Sequence, residues 1–509
     1  MRPFLLLSLF LCLSIAHADD NLRTLAERGD AAALTQALAD GGDVDERGPD
    51  GTTALHWAAR ADRLPTVRAL LAAGADASAT DRYGVTPLQL AAVNGNAAMI
   101  ALLVAAGADA AAAGPDGETP LMAAARTGVP AAIEALLAAG AEVDARDREF
   151  GQTALMIAVR ERQPAAVVLL LERDAAVNAQ TRMGPEPKFV PPCKGTGCGS
   201  EGVGINRGGL PDRGRRDAQR GGMTPLLYAA RDGLDAIAGE LIAAGADLEL
   251  ADANGISPLL MSALNGNVAV AHRLLAEGAD PNADDFFGRT ALWAAVEYRN
   301  LDMNNRDVDS PTTNNVDREP FLPLLAALID AGADVNARTR EVPPSRRWLY
   351  SLGDVSWVDF TGQTPFLRAA LSGDTAVMRL LLERGADPNL ATFAGTTPLM
   401  AAAGVNWVVA QTYTESPEAS LEAVQMCLER GTDINAVNSM GLSALLGAVN
   451  RGANHIIRYL AEHGADLDVV DVQGRDAQRW AEGVFLAAVG AERKPATLAL
   501  LDELEAVRR

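Results

Sequence analysis

One short phrase recurs eleven times along the chain, most often at intervals of 33 residues. It begins with Thr or Ser, continues with Pro or Ala and then Leu, and ends in small residues, as in TPLQLAA. The phrase starts at Thr53, Thr86, Thr119, Thr153, Thr224, Ser257, Thr290, Thr364, Thr397, Ser443 and, in degenerate form, Asp476. A period of this length is typical of solenoids, in which each repeat packs only against its neighbours. The repetition therefore predicts a stack of small units rather than one globular core.

Residues 82–114 show how one repeat is expected to fold. Thr86 can cap a helix, and Pro87 follows at a position where its missing N–H costs nothing. Gly95 ends this helix, and Gly107 ends a second helix that has its own apolar side. Neither helix can bury its apolar residues alone, so neighbouring repeats must supply the core. The pattern predicts an all-α repeat fold.

These features resemble the ankyrin repeat family. The resemblance rests on the TPL phrase, the Ala-Ala pair, the LLxxGAD phrase and the 33-residue period, and it covers residues 21 to 509 except for four insertions. It implies an ankyrin solenoid of about twelve helix-turn-helix units, joined by β-hairpin loops, called fingers, along one edge. The segments 21–47 and 472–509 are atypical and are expected to cap the stack. A His after TPL is usual in the family, but only His56 keeps it.

Irregular gaps between the phrases mark the four insertions. Segments 182–222 and 340–361 interrupt fingers, whereas 302–320 and 405–420 fall between the two helices of a repeat. Long loops of this kind are usually functional or disordered. The predicted domain organisation is a signal peptide at 1–18, a cap and repeats at 19–181, the first insertion at 182–222, repeats at 223–339, the aromatic insertion at 340–361, repeats at 362–471 and a capping unit at 472–509.

The first 18 residues have the form of a secretory signal peptide. Arg2 precedes a short apolar run that ends at Ile15, and Ala16-His17-Ala18 offers a cleavage site. The run is too short to span a bilayer as an anchor. We therefore expect cleavage after Ala18 and a periplasmic or secreted mature chain. The formal charge of −22 for the full sequence argues against nucleic acid as a partner, and we expect a monomer without membrane insertion.

The first insertion contains two cysteines in a Gly-rich stretch, Cys193 and Cys198. In an oxidising compartment a local disulfide between them is expected, although a thiol-redox role stays open. The same segment has an excess of basic residues, including Arg213, Arg215 and Arg216. These arginines either belong to a solvated loop or form an electrostatic handle for an acidic partner.

Aromatic residues make up only 5% of the chain, yet six lie in the third and fourth insertions: Trp348, Tyr350, Trp357, Phe360, Trp407 and Tyr413. Such residues are enriched at binding hot spots, but they could also fold the loops back onto the solenoid. Tyr83, Phe150 and Phe287 each directly precede a finger glycine. They could form a binding row along the edge or pack one finger against the next.

No catalytic set is recognisable in the sequence. The histidines are scattered, and the motifs of hydrolases, zinc proteases and dithiol oxidoreductases are missing. Neither a cofactor nor a metal is predicted. We interpret the chain as an exported, non-enzymatic scaffold that binds another protein through a rigid repeat surface and inserted loops. The alternatives are an assembly or protection factor for an exported redox enzyme, a glycan-binding protein, and an enzyme site between the insertions.

Overall fold

The computed structural model describes residues 21–185, 189–190, 215–216, 219–300, 317–340, 361–405, 416–484 and 492–508. These residues form 24 α-helices and one two-stranded antiparallel ribbon. Their contacts define two compact units. Unit 1 comprises the described residues of 1–182 and 239–246, and unit 2 comprises those of 183–238 and 247–509.

The first ten helices belong to unit 1. They are α1 (Leu22–Arg28), α2 (Ala31–Ala39), α3 (Ala54–Arg60), α4 (Leu64–Ala72), α5 (Pro87–Val93), α6 (Ala97–Ala105), α7 (Pro120–Thr127), α8 (Pro130–Ala138), α9 (Ala154–Arg160) and α10 (Pro164–Glu172).

The remaining elements follow in chain order. They are β1 (Phe189–Val190), β2 (Arg215–Arg216), α11 (Pro225–Asp232), α12 (Asp235–Ala243), α13 (Pro258–Leu264), α14 (Val268–Ala276), α15 (Ala291–Arg299), α16 (Phe321–Asp330), α17 (Pro365–Ser372), α18 (Thr375–Glu383), α19 (Pro398–Ala403), α20 (Pro417–Glu429), α21 (Ala444–Arg451), α22 (Asn454–Glu462), α23 (Ala477–Ala481) and α24 (Pro495–Arg508).

Each unit consists of two layers of helices. In unit 1, the odd-numbered helices α1 to α9 contact one another in succession, and the even-numbered helices α2 to α10 do the same. In unit 2, the odd-numbered helices α11 to α23 and the even-numbered helices α14 to α24 form the corresponding layers. We call the odd-numbered helices inner and the even-numbered helices outer. This is the all-α repeat solenoid architecture that the sequence predicts.

Small residues bring the layers together. In unit 1, the inner helices α3, α5, α7 and α9 each bury one alanine completely at the same register, and the outer helices α4, α6, α8 and α10 each bury a leucine: Ala58, Ala91, Ala124, Ala158, Leu70, Leu103, Leu136 and Leu170. Apolar side chains that alternate in size fill the space between neighbouring repeats without cavities. The core is therefore distributed along the stack, one thin layer per repeat.

The recurrent Thr or Ser caps the inner helices, as predicted. In ten successive phrases its side chain accepts a hydrogen bond from the N–H three residues later: those of Thr86, Thr119, Thr153, Thr224, Ser257, Thr290, Thr364, Thr397, Ser443 and Asp476. Each cap satisfies a backbone donor that the helix itself leaves unpaired.

One position of the phrase links consecutive repeats. The Nε2 of His56 lies 3.0 Å from the carbonyl oxygen of Val85 in the next repeat. Burial lowers the pKa of His56 below its usual range, which favours a neutral ring. Gln89 makes the equivalent link, because its Nε2 donates to the carbonyl of Glu118 at 3.1 Å. Met122 holds this position in the following repeat and has no side-chain donor.

The first insertion begins and ends as an extended hairpin. β1 and β2 pair antiparallel, with Val190 opposite Arg215. Nearer the helices, the N–H of Gly184 donates to the carbonyl of Arg220 at 2.7 Å, and Gln219 Nε2 donates to the carbonyl of Gly184 at 2.9 Å. The two ends of this insertion are thus held together beside the helices.

The predicted insertion 405–420 overlaps a helix. Helix α20 begins at Pro417, where Ser416 caps it through a 3.0 Å bond to the N–H of Ala419. The last residues of this segment therefore extend an outer helix. A Ser-Pro pair is a strong helix-start signal, and the sequence carries it at this point.

Candidate binding surfaces

Most of the described finger turns are closed by an Asp or Asn side chain, whereas the hydroxyl of Thr392 closes the turn at Gly395 by accepting from the N–H of Thr396 at 3.0 Å. In the finger 81–84, the Asp81 carboxylate accepts hydrogen bonds from the N–H groups of Tyr83 and Val85, both at 2.8 Å. Gly84 completes the turn at φ +75°, in the left-handed region that glycine adopts without strain. The fingers of unit 2 repeat the arrangement at Asp252, Asp285, Asn438 and Asp471. In the finger 81–84, the closing bonds of the Asp81 carboxylate go to main-chain N–H groups and not to the tip side chain.

Neighbouring fingers are joined by main-chain hydrogen bonds, which we call the finger ladder. In unit 1 the N–H of Arg82 donates to Asp50 at 2.8 Å, that of Arg148 to Asp116 at 2.7 Å and that of Arg182 to Phe150 at 2.7 Å. In unit 2 the donors of the ladder are Ala253, Phe286, Arg340, Phe393, Ser439 and Val472, each bonded to the preceding finger. The ladder fixes the spacing of the fingertips within each unit.

Three arginines of unit 1 reinforce the fingers. The Nη1 atoms of Arg47, Arg148 and Arg182 donate to main-chain carbonyls of adjacent fingers, at 2.8, 3.1 and 2.7 Å. A guanidinium that bonds a carbonyl keeps its charge, yet its geometry is restricted. These arginines therefore serve the structure of the finger edge.

The three predicted fingertip aromatics differ in exposure. Tyr83 is 61% exposed and Phe150 is 53% exposed, whereas Phe287 is only 6% exposed. Phe287 packs edge-on against Phe286, with ring centroids 5.2 Å apart, and the Arg289 guanidinium lies 5.2 Å from its ring. Phe287 is thus covered within its own finger, whereas Tyr83 and Phe150 are open to solvent.

Two exposed aromatics lie at a position that the sequence reasoning missed. Phe286 is 36% exposed and Phe393 is 53% exposed, and each lies two residues before its finger glycine rather than one. Both belong to the finger ladder through their N–H groups, so their side chains stand at fixed points of the edge. The Arg338 guanidinium lies 4.4 Å from the Phe393 ring, at a distance that favours a cation–π contact.

The inner helices of unit 1 expose one shared position, the seventh residue after the helix cap. We call these five residues the inner stripe: Arg28, Arg60, Val93, Arg126 and Arg160. In α3, α7 and α9 the other helical residues are mostly buried, because they face either the outer layer or the neighbouring inner helix. Four of the five stripe residues are cationic.

The contacts of the stripe leave part of its charge unbalanced. Arg126 is paired with two carboxylates, those of Glu118 at 2.8 Å and Glu161 at 3.2 Å, and the hydrogen bond to Glu118 raises its pKa. Arg160 donates instead to the neutral amide of Gln152 at 2.7 Å. The Arg60 guanidinium lies 5.5 Å from the ring centroid of Trp57. Neither Arg60 nor Arg160 forms an ion pair with any carboxylate that the structure describes.

A cleft lies at the α1 end of the inner stripe. Its volume is about 360 Å³, and its walls include Arg23, Arg82 and Trp57 together with Glu27 and Asp50. An aromatic wall beside two guanidinium groups suits a planar or anionic side chain. The cleft is open to solvent, so it would bury only part of a bound ligand.

Unit 2 does not continue the cationic pattern. Its seventh positions, from α11 to α21, are Arg231, Leu264, Glu297, Leu371, Gly404 and Asn450. Arg231 is bonded to Asp232 through two contacts of 2.8 and 2.9 Å, and this hydrogen bonding raises its pKa. The unbalanced positive charge is thus a feature of the unit 1 stripe.

Most of the predicted insertion sites lie outside the described residues: Cys193, Cys198, Arg213, Trp348, Tyr350, Trp357, Phe360, Trp407 and Tyr413. Arg215 and Arg216 form β2. Within the described ranges, no group of His, Cys, Asp or Glu gathers in the way that a metal ion requires. None of the described helices has the length and apolar character needed to cross a membrane.

Comparison with known families agrees with this architecture. Residues 22–113, 108–181 and 226–305 match the family of ankyrin repeats in sets of three copies. Residues 361–390 match the single ankyrin repeat. The matched stretches contain α1 to α15, except for Pro225 at the start of α11, together with α17 and α18. The chain therefore belongs to the ankyrin repeat family.

Proposed function

We propose that this protein is a scaffold that binds another protein through the fingers and the inner stripe of unit 1. The observation that carries the proposal is the exposure of Tyr83 and Phe150 on fingers whose backbone is already fixed by the finger ladder. Ankyrin repeats are in general non-enzymatic interaction modules, which agrees with this role. The insertions and their aromatic residues are proposed as additional contact sites.

Preorganisation is the physical advantage of such a surface. Ordering a flexible loop on binding costs free energy that reduces affinity. Here the finger turns are closed by side chains such as Asp81 and joined by main-chain bonds before any partner arrives. Large exposed aromatic side chains add contact area at a small cost in conformational entropy. A partner therefore gains most of the contact energy of Tyr83 and Phe150.

Export forms part of the proposal. The apolar run after Arg2 and the Ala16-His17-Ala18 site support a mature chain that begins at Asp19. In that compartment the partner would be an exported protein, and Cys193 and Cys198 would be able to form a disulfide. N-terminal sequencing of the protein from fractionated cells tests this point, and an intact Met1 in the cytoplasmic fraction would contradict it.

The test of the scaffold role is affinity purification of the tagged mature protein from its native extract. A double variant, Tyr83→Ala with Phe150→Ala, removes the two exposed fingertip rings. The control is Val129→Ala, an exposed apolar residue between α7 and α8 rather than on a finger. We expect a stoichiometric partner with the parent and the control, and at least a tenfold loss with the double variant, since two hot-spot residues cost roughly 1–2 kcal/mol each.

Two outcomes of this purification would count against the proposal. Isolation of the protein alone across a range of mild salt concentrations would refute the scaffold role. If the double variant retains the partner with parental affinity, the binding surface does not include the two fingertip rings. Thermal unfolding of every variant serves as the check on folding, because both rings are exposed and their loss leaves the core intact.

A further inference from the structure

We infer that the inner stripe of unit 1 recognises an extended acidic segment of the partner, with its contact residues spaced by about three residues. This inference rests on the proposed scaffold function and names the chemistry of the ligand. The protein as a whole carries a formal charge of −22, so an exposed row of guanidinium groups is a local exception. Arg60 and Arg160 mark this exception, since their contacts are an aromatic ring and a neutral amide.

The stripe has a fixed spacing because side chains join the ends of successive inner helices. Asn94 Nδ2 donates to the carbonyls of Ala59 at 2.8 Å and Arg60 at 3.2 Å, so the last turns of α3 and α5 are in contact. Gln163, which directly precedes α10, donates from Nε2 to the carbonyl of Arg126 at 3.2 Å and holds the end of α7 against the next repeat. Packed helices lie about 8–10 Å apart, which sets the step from one stripe position to the next.

An extended peptide matches this step. It advances about 3.3 Å per residue, so every third residue meets the next stripe position. The stripe presents, in order, Arg60, Val93, Arg126 and Arg160. A matching ligand would place an acidic residue at each arginine and an apolar residue at the valine, with three residues from one contact to the next. The carboxylate at the central arginine would compete with Glu118 and Glu161, so the two unpaired arginines at Arg60 and Arg160 are expected to dominate binding.

Stability alone does not explain the arginines. A cation near a helix C-terminus interacts favourably with the helix dipole, and this would account for any one of the four. The same position in unit 2 holds Leu264, Leu371 and Asn450, and those helices form equally well. Together with the unpaired charge of Arg60 and Arg160, this difference between the units points to recognition.

The test uses two synthetic peptides and the full mature protein. The first peptide carries Glu, Leu, Glu and Glu at three-residue intervals in a Gly-Ser background, and the second has the same composition with the three Glu residues adjacent. We expect the spaced peptide to bind at least tenfold more tightly, and its affinity to fall as the salt concentration rises from about 50 to 300 mM. Equal affinity for the two peptides would overturn the inference.

Two double variants assign the binding to the stripe. Arg60→Gln with Arg160→Gln is expected to lose at least tenfold in affinity for the spaced peptide, and the corresponding lysine variant is expected to retain most of it. Arg68→Gln in α4 with Arg430→Gln directly after α20 removes the same charge from exposed positions on or beside outer helices and should bind like the parent. Parental affinity of the stripe glutamine variant, or an equal loss in the outer-helix variant, would refute the assignment.

These experiments distinguish failure of the acidic-segment inference from failure of the scaffold proposal. If the native partner is captured by the parent and equally by the stripe glutamine variant, the scaffold role stands and the acidic segment is refuted. If no partner is captured at all, the scaffold role fails, and the peptide measurements alone decide whether the stripe binds acidic chains. Unfolding curves of the variants, which change only exposed side chains, report whether folding is intact.

Discussion

At the scale of single residues, glycines with the same backbone geometry serve two different purposes. Gly117 lies in a finger at φ +83°, and a Cβ atom there would stand 2.5 Å from the main-chain nitrogen of Arg148 in the next finger. Gly74 ends the outer helix α4 at φ +88°, and a Cβ atom there would have nothing within 4 Å. Only the finger glycine is required by a close approach between repeats.

This pair yields a prediction for alanine substitution. Gly74→Ala should cost about 1–2 kcal/mol, the penalty of a left-handed backbone. Gly117→Ala should cost about 1–3 kcal/mol more, because the methyl group forces two fingers apart. Urea unfolding of the two variants measures the difference. Equal free energies of unfolding would show that the contact between fingers relaxes freely.

The fingertip aromatics show where sequence reasoning stops at this scale. The finger turns and their glycines were predictable, because Asp-x-x-Gly is a local signal. The solvent exposure of the aromatic ring at each fingertip could not be predicted from the sequence. Tyr83 and Phe287 occupy the same place in their turns, but Phe286 and Arg289 cover the second ring. The position of an aromatic residue directly before the finger glycine does not determine whether its ring, or the ring of the preceding residue, is buried.

At the scale of elements, one buried carboxylate ties together three helices of unit 2. Asp374 caps α18 and is fully buried. It accepts hydrogen bonds from Arg299 Nε at the end of α15 at 2.8 Å, from Arg318 Nη2 before α16 at 2.9 Å, and from Asn300 Nδ2 at 3.1 Å. Asn300 lies just before the second insertion, and Arg318 lies near its end. The carboxylate thus fixes both ends of that insertion.

Replacing this carboxylate should be costly. Asp374→Asn leaves the buried Arg299 and half-buried Arg318 guanidinium groups without their counter-charge, and we expect a loss of about 3–5 kcal/mol in the free energy of unfolding. Asp330→Asn removes an exposed partner of Arg384 and should cost less than about 1 kcal/mol. Denaturant unfolding of both variants compares them. A similar small loss in both would show that the buried cluster is not a structural tie.

This cluster was not visible in the sequence. Asp374 reads there as an ordinary helix cap, and it does cap α18. Its arginine partner Arg299 lies in another repeat and is separated from it in sequence by the second and third insertions. Helix starts depend on local signals, so they can be predicted, whereas a contact across an insertion depends on how the repeats stack.

At the scale of the whole molecule, the repeat class was predictable because the same helix-cap and packing residues recur in each repeat along the chain. Each phrase supplies a cap, a first-turn residue and small packing residues, so errors at single positions such as Met122 do not change the outcome. The inner stripe was not predicted. It becomes visible only when the same helical register is compared across five helices and their burial is known.

The modular architecture predicts that the first insertion can be shortened. Deletion of 191–214, with an Asn-Gly turn joining β1 to β2, should leave the helical content and the unfolding midpoint nearly unchanged, because the ribbon and the Gly184–Arg220 bond remain. Deletion of the equally long segment 87–110 removes α5 and α6 and should abolish cooperative unfolding of unit 1. Circular dichroism during thermal unfolding distinguishes the two. A large loss from the first deletion would make this insertion part of the core.

The finger ladder has a consequence for how such a protein can change over generations. Its bonds use main-chain atoms alone, so exchanging a tip residue such as Tyr83 or Phe393 leaves the ladder intact. Proline is different, as at Pro115, because it has no N–H to donate. Single substitutions at the fingertips can therefore accumulate during evolution while the backbone of the fingers is conserved. Partner choice is free to evolve faster than the fold.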